Sequence, residues 1–280
     1  MERKPARVLT IAGSDSGGGA GIQADLKTIT VLGGFGMSVI TALTAQNTLG
    51  VQGIFEVPIP FIEQQFDSVA TDIGVDAAKT GMLVNSAVIR AVAAKIRRYG
   101  IERLVVDPVM VAKGGVRLIR DEALDSLVSE LIPLALVVTP NVPEAEVLAG
   151  MAIGSVEDMK KAARNIRELG VPNVIVKGGH LTGPATDILF DGSRFYEFTS
   201  ERIATTDCHG TGCTYSAAIA TALARGTSLL ESIREAKAYI SKVIRFAWHI
   251  GQGHGPTNHA APFLMPSTRF FHLSIKDDIP

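Results

Sequence analysis

The segment 207–213 combines small residues with side chains that suit phosphate chemistry. It reads Asp-Cys-His-Gly-Thr-Gly-Cys and runs into a helix-like stretch that begins near Thr214. Unpaired N–H groups at the start of a helix bind anions, and the helix dipole adds about half a positive charge there. The segment therefore predicts an anion hole for phosphate, formed by Gly210, Thr211 and Gly212.

Cys213 stands in the first turn of this predicted helix. A helix start lowers the pKa of a thiol from its ordinary value of about 8.5, so a thiolate could act at neutral pH. The alternative is that Cys213 is a small buried apolar residue, which is the common role of a free cysteine. We interpret His209 as a packed or solvated neighbour, because no partner ligands lie at zinc spacing.

Four other groups of polar or glycine residues follow predicted strands. In an open α/β sheet, ligands bind outside the carboxyl ends of the strands, so we expect these groups to converge on one edge of the sheet. Taken singly, each could also be an ordinary turn between a strand and a helix. The groups are Gly13-Ser14-Asp15, Asp107-Pro108, Thr139-Pro140-Asn141 and Lys177-Gly178-Gly179-His180.

The glycine-rich loop near the start of the chain does not predict a dinucleotide site. Residues 19–24 fit a relaxed GxGxxG/A fingerprint, but the stretch 26–55 contains no Asp or Glu that could hold the ribose. No GxxxxGK[ST] motif occurs in the sequence either. If the protein binds ATP, it therefore does so without the glycine-rich loop that this motif forms.

The elements that must position these residues alternate between strands and helices. Apolar runs typical of strands buried on both faces are found at 7–12, 37–45, 77–79, 104–107, 134–138 and 173–177. Helical spacing of apolar residues is found at 22–32, 61–73, 85–99, 121–131, 156–169, 214–225 and 228–250. Asp191-Gly192, between the runs 186–190 and 194–198, predicts a hairpin. We therefore predict an α/β fold with a mostly parallel central sheet, an antiparallel edge and helices on both faces.

Composition limits the other possibilities. The 280 residues carry 27 basic and 28 acidic side chains, so the net charge of −1 provides no general field for nucleic acid or an anionic membrane. The apolar runs are too short to span a bilayer and the charged start of the chain is unlike a secretory signal, so we expect a cytoplasmic protein. No linker or repeat divides the chain, and we expect one domain over 1–280 with 257–280 as a C-terminal surface tail.

Together these motifs resemble the hydroxymethylpyrimidine and phosphomethylpyrimidine kinases of thiamine biosynthesis, within the ribokinase-like superfamily. The resemblance covers nearly the whole chain and rests on motifs at 12–25, 42–47, 79–82, 107–115, 139–141, 176–180 and 209–213. It implies a ribokinase-like three-layer sandwich that acts as a homodimer. It also implies phosphorylation of 4-amino-5-hydroxymethyl-2-methylpyrimidine, and then of its monophosphate to the pyrophosphate, with ATP and Mg²⁺.

The resemblance also implies roles for single residues. The residues that it assigns to the pyrimidine pocket are Gly13, Asp25, Gln46 and Met82. A Gln amide offers a donor beside an acceptor, which matches an aminopyrimidine edge. The residues that it assigns to the nucleotide are Lys177, Asn141 and Thr211, and those near magnesium are Asp107 and Glu144. The catalytic set that it implies is Cys213, Lys177, Gly210, Thr211 and Gly212.

Some of these residues have structural alternatives. Asp25 could cap its helix or form a salt bridge, and Gln46 could satisfy a strand end. Asn141 and Glu144 could simply begin a helix. Each alternative would leave the side chain in place without a direct role in substrate binding.

Three positions depart from the family pattern, and two other functions stay open. Asp207-Cys208 stands where Asn-Thr is common, and Thr44 stands where an apolar residue is often found. A carboxylate at position 207 would oppose phosphate or raise the pKa of Cys213. One alternative function is a pyridoxal or pyridoxine kinase, which shares the Cys-containing loop. The other is a catalytically silent pyrimidine sensor.

Overall fold

Ten strands form one sheet in the computed structural model, which describes residues 4–110, 121–265 and 274–278. The strands are β1 (Ala6–Asp15), β2 (Gly34–Asn47), β3 (Gly50–Glu56), β4 (Ala77–Thr80), β5 (Leu104–Val106), β6 (Val137–Val138), β7 (Asn173–Val176), β8 (Ala185–Phe190), β9 (Phe195–Ser200) and β10 (Ser274–Asp278). Their order across the sheet is β10-β9-β8-β7-β6-β5-β4-β1-β2-β3. The pairs from β2 through β1 and β4 to β7 are parallel, whereas β3, β8, β9 and β10 add antiparallel pairs at the two edges.

Helices cover both faces of the sheet and enclose two hydrophobic cores. One core lies beneath α1 (Gly21–Val31), α7 (Thr211–Ala224) and α8 (Leu229–Arg245). The other lies beneath α2 (Ile59–Asp72), α3 (Ser86–Arg98), the short α4 (Asp121–Ser126), α5 (Val142–Ala149) and α6 (Val156–Arg167), while the short α9 (Ala261–Leu264) packs on α8. Side chains alternate across a strand, so Leu104 and Val106 enter one core and Val105 enters the other. The predicted three-layer α/β fold is therefore confirmed.

Several boundaries differ from the sequence-based expectation. The predicted helix at 121–131 is α4 followed by a π-helical turn (Leu127–Leu131) and a 3-10 turn (Ile132–Leu134), where Pro133 has no N–H to continue an α-helix. The predicted helix at 228–250 ends earlier, at Arg245. The hairpin is present as β8 and β9, but β3 was not predicted because its residues lack a clear apolar pattern.

The prediction of a surface tail at 257–280 is wrong for the first residues of that range. Thr257, Asn258 and His259 are buried, and β10 pairs with β9 in the sheet. The local sequence did not indicate this burial, because the residues that contact these positions lie far away in the chain. Of the motif at 107–115, the positions from 111 onward lie outside the described residues.

The strand order creates a crevice next to β1. The chain passes from β1 to β2 on one side, and β4 then lies on the other side of β1. Ligands of open α/β sheets bind at the carboxyl ends of strands where the order reverses in this way. Among the helices that the structure describes, none is both long and apolar enough to cross a bilayer.

Candidate active site

A cavity of about 770 Å³ lies at the carboxyl ends of the parallel strands. It brings together residues from loops that are far apart in sequence. Those with predicted roles in substrate, nucleotide or phosphate chemistry are Gly13, Gln46, Met82, Asp107, Asn141, Glu144, Lys177, Gly210, Thr211, Gly212 and Cys213. Of the residues assigned from the sequence, Asp25 alone does not line this cavity.

The predicted anion hole at the start of α7 depends on a glycine. Gly210 adopts a φ of 82°, and a Cβ there would lie 1.7 Å from the carbonyl oxygen of Gly19. Both the N–H and the hydroxyl of Thr211 donate to the carbonyl of Cys208, at 3.3 and 2.7 Å. Within the described residues, no side chain caps the helix, so the N–H groups of Gly212 and Cys213, which follow Thr211 in the first turn beside the cavity, have no capping side chain.

The thiol of Cys213 is less acidic than the sequence predicted. Burial raises its pKa to about 11, and this effect outweighs the opposing charge of the Lys79 ammonium. The carboxylates of Asp25 and Asp107 raise the pKa further. The expectation of a lowered pKa is therefore wrong, because desolvation of the thiolate costs more than the nearby positive charge returns.

Asp207 does not act on the anion hole as we expected. Its carboxylate accepts the N–H of Gly255 at 3.0 Å and lies 3.1 Å from Nδ1 of His249. Asp207 also does not line the cavity. The Asp207 carboxylate therefore connects its loop to the residues that follow α8, and it does not oppose phosphate.

Lys177 and Asp107 form an ion pair in the wall of the cavity. Nζ of Lys177 lies 2.8 Å from Oδ1 of Asp107, and the hydroxyl of Thr139 donates to the same oxygen at 3.0 Å. Burial disfavours both charges, yet the pKa of Asp107 is lowered because Lys177 and Lys79 stabilise the carboxylate. Likewise, burial is outweighed at Lys177 by Asp107 and Glu144, and its pKa is raised. Both groups are therefore charged at neutral pH.

Asn141 and Glu144 begin α5, as the structural alternative proposed, and they also line the cavity. The side chain of Asn141 accepts the N–H of Glu144, and the Glu144 carboxylate accepts the N–H of Asn141, each at 2.9 Å. This capping box fixes both side chains. Burial raises the pKa of Glu144 to about 7, with a further contribution from the charge of Asp107.

Gln46 lies at the other end of the cavity, beside His209. Oε1 of Gln46 lies 3.0 Å from the hydroxyl of Thr44, and its Nε2 lies 3.3 Å from Nε2 of His209. The same His209 nitrogen lies 2.9 Å from Oδ2 of Asp15. Gly13 and Met82 complete this end, where a Cβ on Gly13 would come within 3.1 Å of Sδ of Met82. His209 is therefore a cavity residue, a role that its spacing in the sequence did not reveal.

Asp25 lies behind the cavity and is bonded within the protein. Its carboxylate accepts from Nζ of Lys79 at 2.9 Å and from the hydroxyl of Thr10 at 2.6 Å. All three side chains are fully buried. The salt-bridge alternative therefore describes the position of Asp25, which does not line the cavity, and its assignment to the pyrimidine pocket stays a prediction.

Comparisons with known proteins agree with this geometry. The sequence profile of the family described as phosphomethylpyrimidine kinase matches residues 15–258. The bifunctional thiamine biosynthesis protein ThiED of Geobacter sulfurreducens is 57% identical over 253 residues, and the match covers 90% of this chain but 52% of that protein. The hydroxymethylpyrimidine/phosphomethylpyrimidine kinase of Bacillus subtilis is 52% identical over 257 residues, which cover 91% of this chain and 95% of that protein. The structure of Bacillus subtilis pyridoxal kinase, an ADP complex, aligns with a TM-score of 0.88 at 41% identity and covers 93% of this chain and 100% of that chain.

Proposed function

The chain belongs to the phosphomethylpyrimidine kinase family, and from this premise we propose that it phosphorylates 4-amino-5-hydroxymethyl-2-methylpyrimidine and then its monophosphate. ATP is the phosphate donor, and the final product is the pyrophosphate used in thiamine biosynthesis. The observation that carries the proposal is one continuous cavity with Gln46 and Met82 at one end and Lys177 beside the uncapped start of α7. Such a cavity suits an aminopyrimidine alcohol that faces a nucleotide phosphate.

At the pyrimidine end, Gln46 reads the aminopyrimidine edge. Its amide can donate to the ring nitrogen and accept from the exocyclic amine. Met82 supplies a polarizable apolar wall against the ring. Gly13 lines the same end of the cavity, and a side chain there would press on Met82.

At the phosphate end, Lys177 and the start of α7 stabilise the phosphoryl group during transfer. Phosphoryl transfer depends mainly on positioning and on the stabilisation of charge spread over the phosphoryl oxygens. The Lys177 ammonium supplies positive charge, and the N–H groups that begin with Gly212 supply oriented donors. Asn141 and Thr211 flank the same phosphates.

Cys213 acts as the base of the first step only. The first nucleophile is a neutral alcohol whose proton must leave, whereas the second is a phosphate oxygen that is already ionised near neutral pH. With a pKa of about 11, little Cys213 is thiolate at neutral pH, but that thiolate is a strong base. The loose transition state of phosphoryl transfer reduces how much assistance the alcohol needs.

Asp107 and Glu144 fit a magnesium ion that is held largely by water and phosphate oxygens. Both carboxylates line the cavity beside Lys177. Within the described residues, no group of three or more His, Cys, Asp or Glu side chains forms a complete metal cage. Mg²⁺ commonly takes one or two protein carboxylates and keeps water and substrate oxygens as its other ligands. When bound, the ion neutralises charge on the phosphates.

We also propose a homodimer that forms through the exposed edge of β2 and β3. Leu43 and Phe55 are opposite each other in the ladder, and their side chains are 46% and 65% exposed. Leu49, in the turn between β2 and β3, is also exposed. An exposed apolar edge strand is a template for association. Sedimentation of Phe55→Glu should show monomer where the unaltered protein sediments as a dimer.

Product analysis with ATP and Mg²⁺ tests the proposed function. The pyrimidine alcohol should give monophosphate and then pyrophosphate. Pyridoxal is the necessary comparison, because Bacillus subtilis pyridoxal kinase aligns closely with this chain. Turnover of pyridoxal alone would establish the alternative kinase. Tight pyrimidine binding without turnover would establish the silent sensor.

A further inference from the structure

The C-terminal strap, which we define as residues 255–259, is bonded to both sides of His209. The N–H of His209 donates to the carbonyl of Gly255 at 3.0 Å, and the carbonyl of His209 accepts the N–H of Thr257 at 3.3 Å. The N–H of Gly255 also donates to the carboxylate of Asp207 at 3.0 Å. The strap therefore runs alongside the loop that leads into the anion hole.

His259 joins the end of the strap to the first turn of α7. Its Nε2 lies 2.9 Å from Oγ1 of Thr214, which directly follows Cys213. Both side chains are buried, with 5% and 0% of their surfaces exposed. The backbone of His259 is fixed independently, because its carbonyl accepts the hydroxyl of Tyr239 on α8 at 3.0 Å.

The strap is thus bonded to the residues on both sides of the segment that forms the anion hole. Gly255 and Thr257 fix the residue before Gly210, and His259 fixes the residue after Cys213. Gly210 itself has a left-handed conformation and no side chain, so no side-chain contact of its own holds it in place. The loop needs such external bonds to keep its N–H groups aimed at one point.

We propose that His259 is a positioning residue for the phosphoryl-transfer step, acting through Thr214 on the start of α7. The proposal rests on the proposed kinase function, but it does not depend on which vitamin accepts the phosphate. Oriented donors act mainly on the transferring group, and small displacements of such donors cost much of the rate. Loss of the His259 contact therefore lowers kcat more than it weakens substrate binding.

The test compares His259→Leu with His259→Gln. Gln can place an amide nitrogen where Nε2 of His259 lies, whereas Leu cannot form a hydrogen bond. We expect kcat of His259→Leu to fall about tenfold or more, with the KM of the pyrimidine and the Kd of ADP changed less than about twofold. His259→Gln should recover most of kcat. Thr214→Val should lower kcat similarly, and the double variant Thr214→Val with His259→Leu should be no slower than either single variant.

The control is His249→Leu, which removes an exposed histidine that contacts Asp207 near the strap. Its kcat should match that of the unaltered protein, because the His249 side chain is 76% exposed and its contact with Asp207 contributes little. Equal loss of kcat and of ADP affinity in His259→Leu, or additive losses in the double variant, would overturn the proposal and leave a general packing role. Absence of turnover in the unaltered protein would count against the kinase function. The ADP affinity and the thermal unfolding of the variants would still measure how the strap affects the nucleotide site and the fold.

Discussion

Lys79 and Asp25 form an ion pair that is buried inside the protein. Nζ of Lys79 lies 2.9 and 3.0 Å from the two carboxylate oxygens of Asp25, and the side chains are 1% and 0% exposed. Burial opposes the charge on Lys79, but Asp25 outweighs it and raises the pKa of the ammonium. Removal of one partner would leave a buried charge without compensation.

Asp25→Asn should therefore destabilise the fold by about 3–5 kcal/mol. Denaturant unfolding followed by circular dichroism measures this loss. The double variant Asp25→Leu with Lys79→Met should be more stable than Asp25→Asn, because it removes both charges. A variant Asp25→Asn that unfolds like the unaltered protein but binds the pyrimidine poorly would place Asp25 in the pocket.

Gln46→Leu should weaken binding of the pyrimidine alcohol tenfold or more. The change keeps the approximate size of the side chain but removes the paired donor and acceptor, at a cost of roughly 1–3 kcal/mol. Calorimetric titration measures the affinity, and Gln52→Leu, an exposed glutamine on the neighbouring β3, is the control. Unchanged pyrimidine binding together with lost pyridoxal binding would favour the alternative kinase.

Lys177→Met should slow turnover more than it weakens binding of the pyrimidine. The ammonium matters most as charge spreads over the transferring phosphoryl group. Steady-state kinetics with separate pyrimidine titrations measure the two effects, and Lys161→Met on the exposed face of α6 is the control. An equal loss of pyrimidine affinity would place Lys177 in the vitamin pocket or in the fold.

The alkylation rate of Cys213 should still be rising with pH at pH 10. Only the thiolate reacts, and a pKa of about 11 means that each unit of pH below this value lowers the thiolate fraction about tenfold. The rate with iodoacetamide is measured in Cys208→Ser, which leaves Cys213 as the one cysteine of the chain. A plateau near pH 8.5 would show that burial does not control this thiol.

Cys213→Ala should slow phosphorylation of the alcohol far more than phosphorylation of the monophosphate. Base assistance typically contributes about 10² to 10⁴-fold, and only the alcohol has a proton that must be removed. The two half-reactions are measured separately, with Cys208→Ala as the matched control. Equal slowing of both steps would leave Cys213 as a positioning residue.

The sequence by itself determined the layers of the fold and the edge of the sheet that carries the site. Strand residues such as 104–106 are apolar at every position, which requires cover on both faces. Glycine and polar residues follow those strands directly, so the loops at their carboxyl ends were recognisable. These signals are local, because side-chain periodicity and turn chemistry depend on neighbouring residues.

Tertiary structure alone decided which side chain faces which. Asp25 has Lys79 as its partner at a distance of 54 residues, and His259 reaches Thr214 across 45. The pKa of Cys213 likewise depends on burial and on charges from other loops, so its helix position predicted the wrong direction. Desolvation and long-range pairing arise only when distant segments pack together, and a local sequence pattern does not contain them.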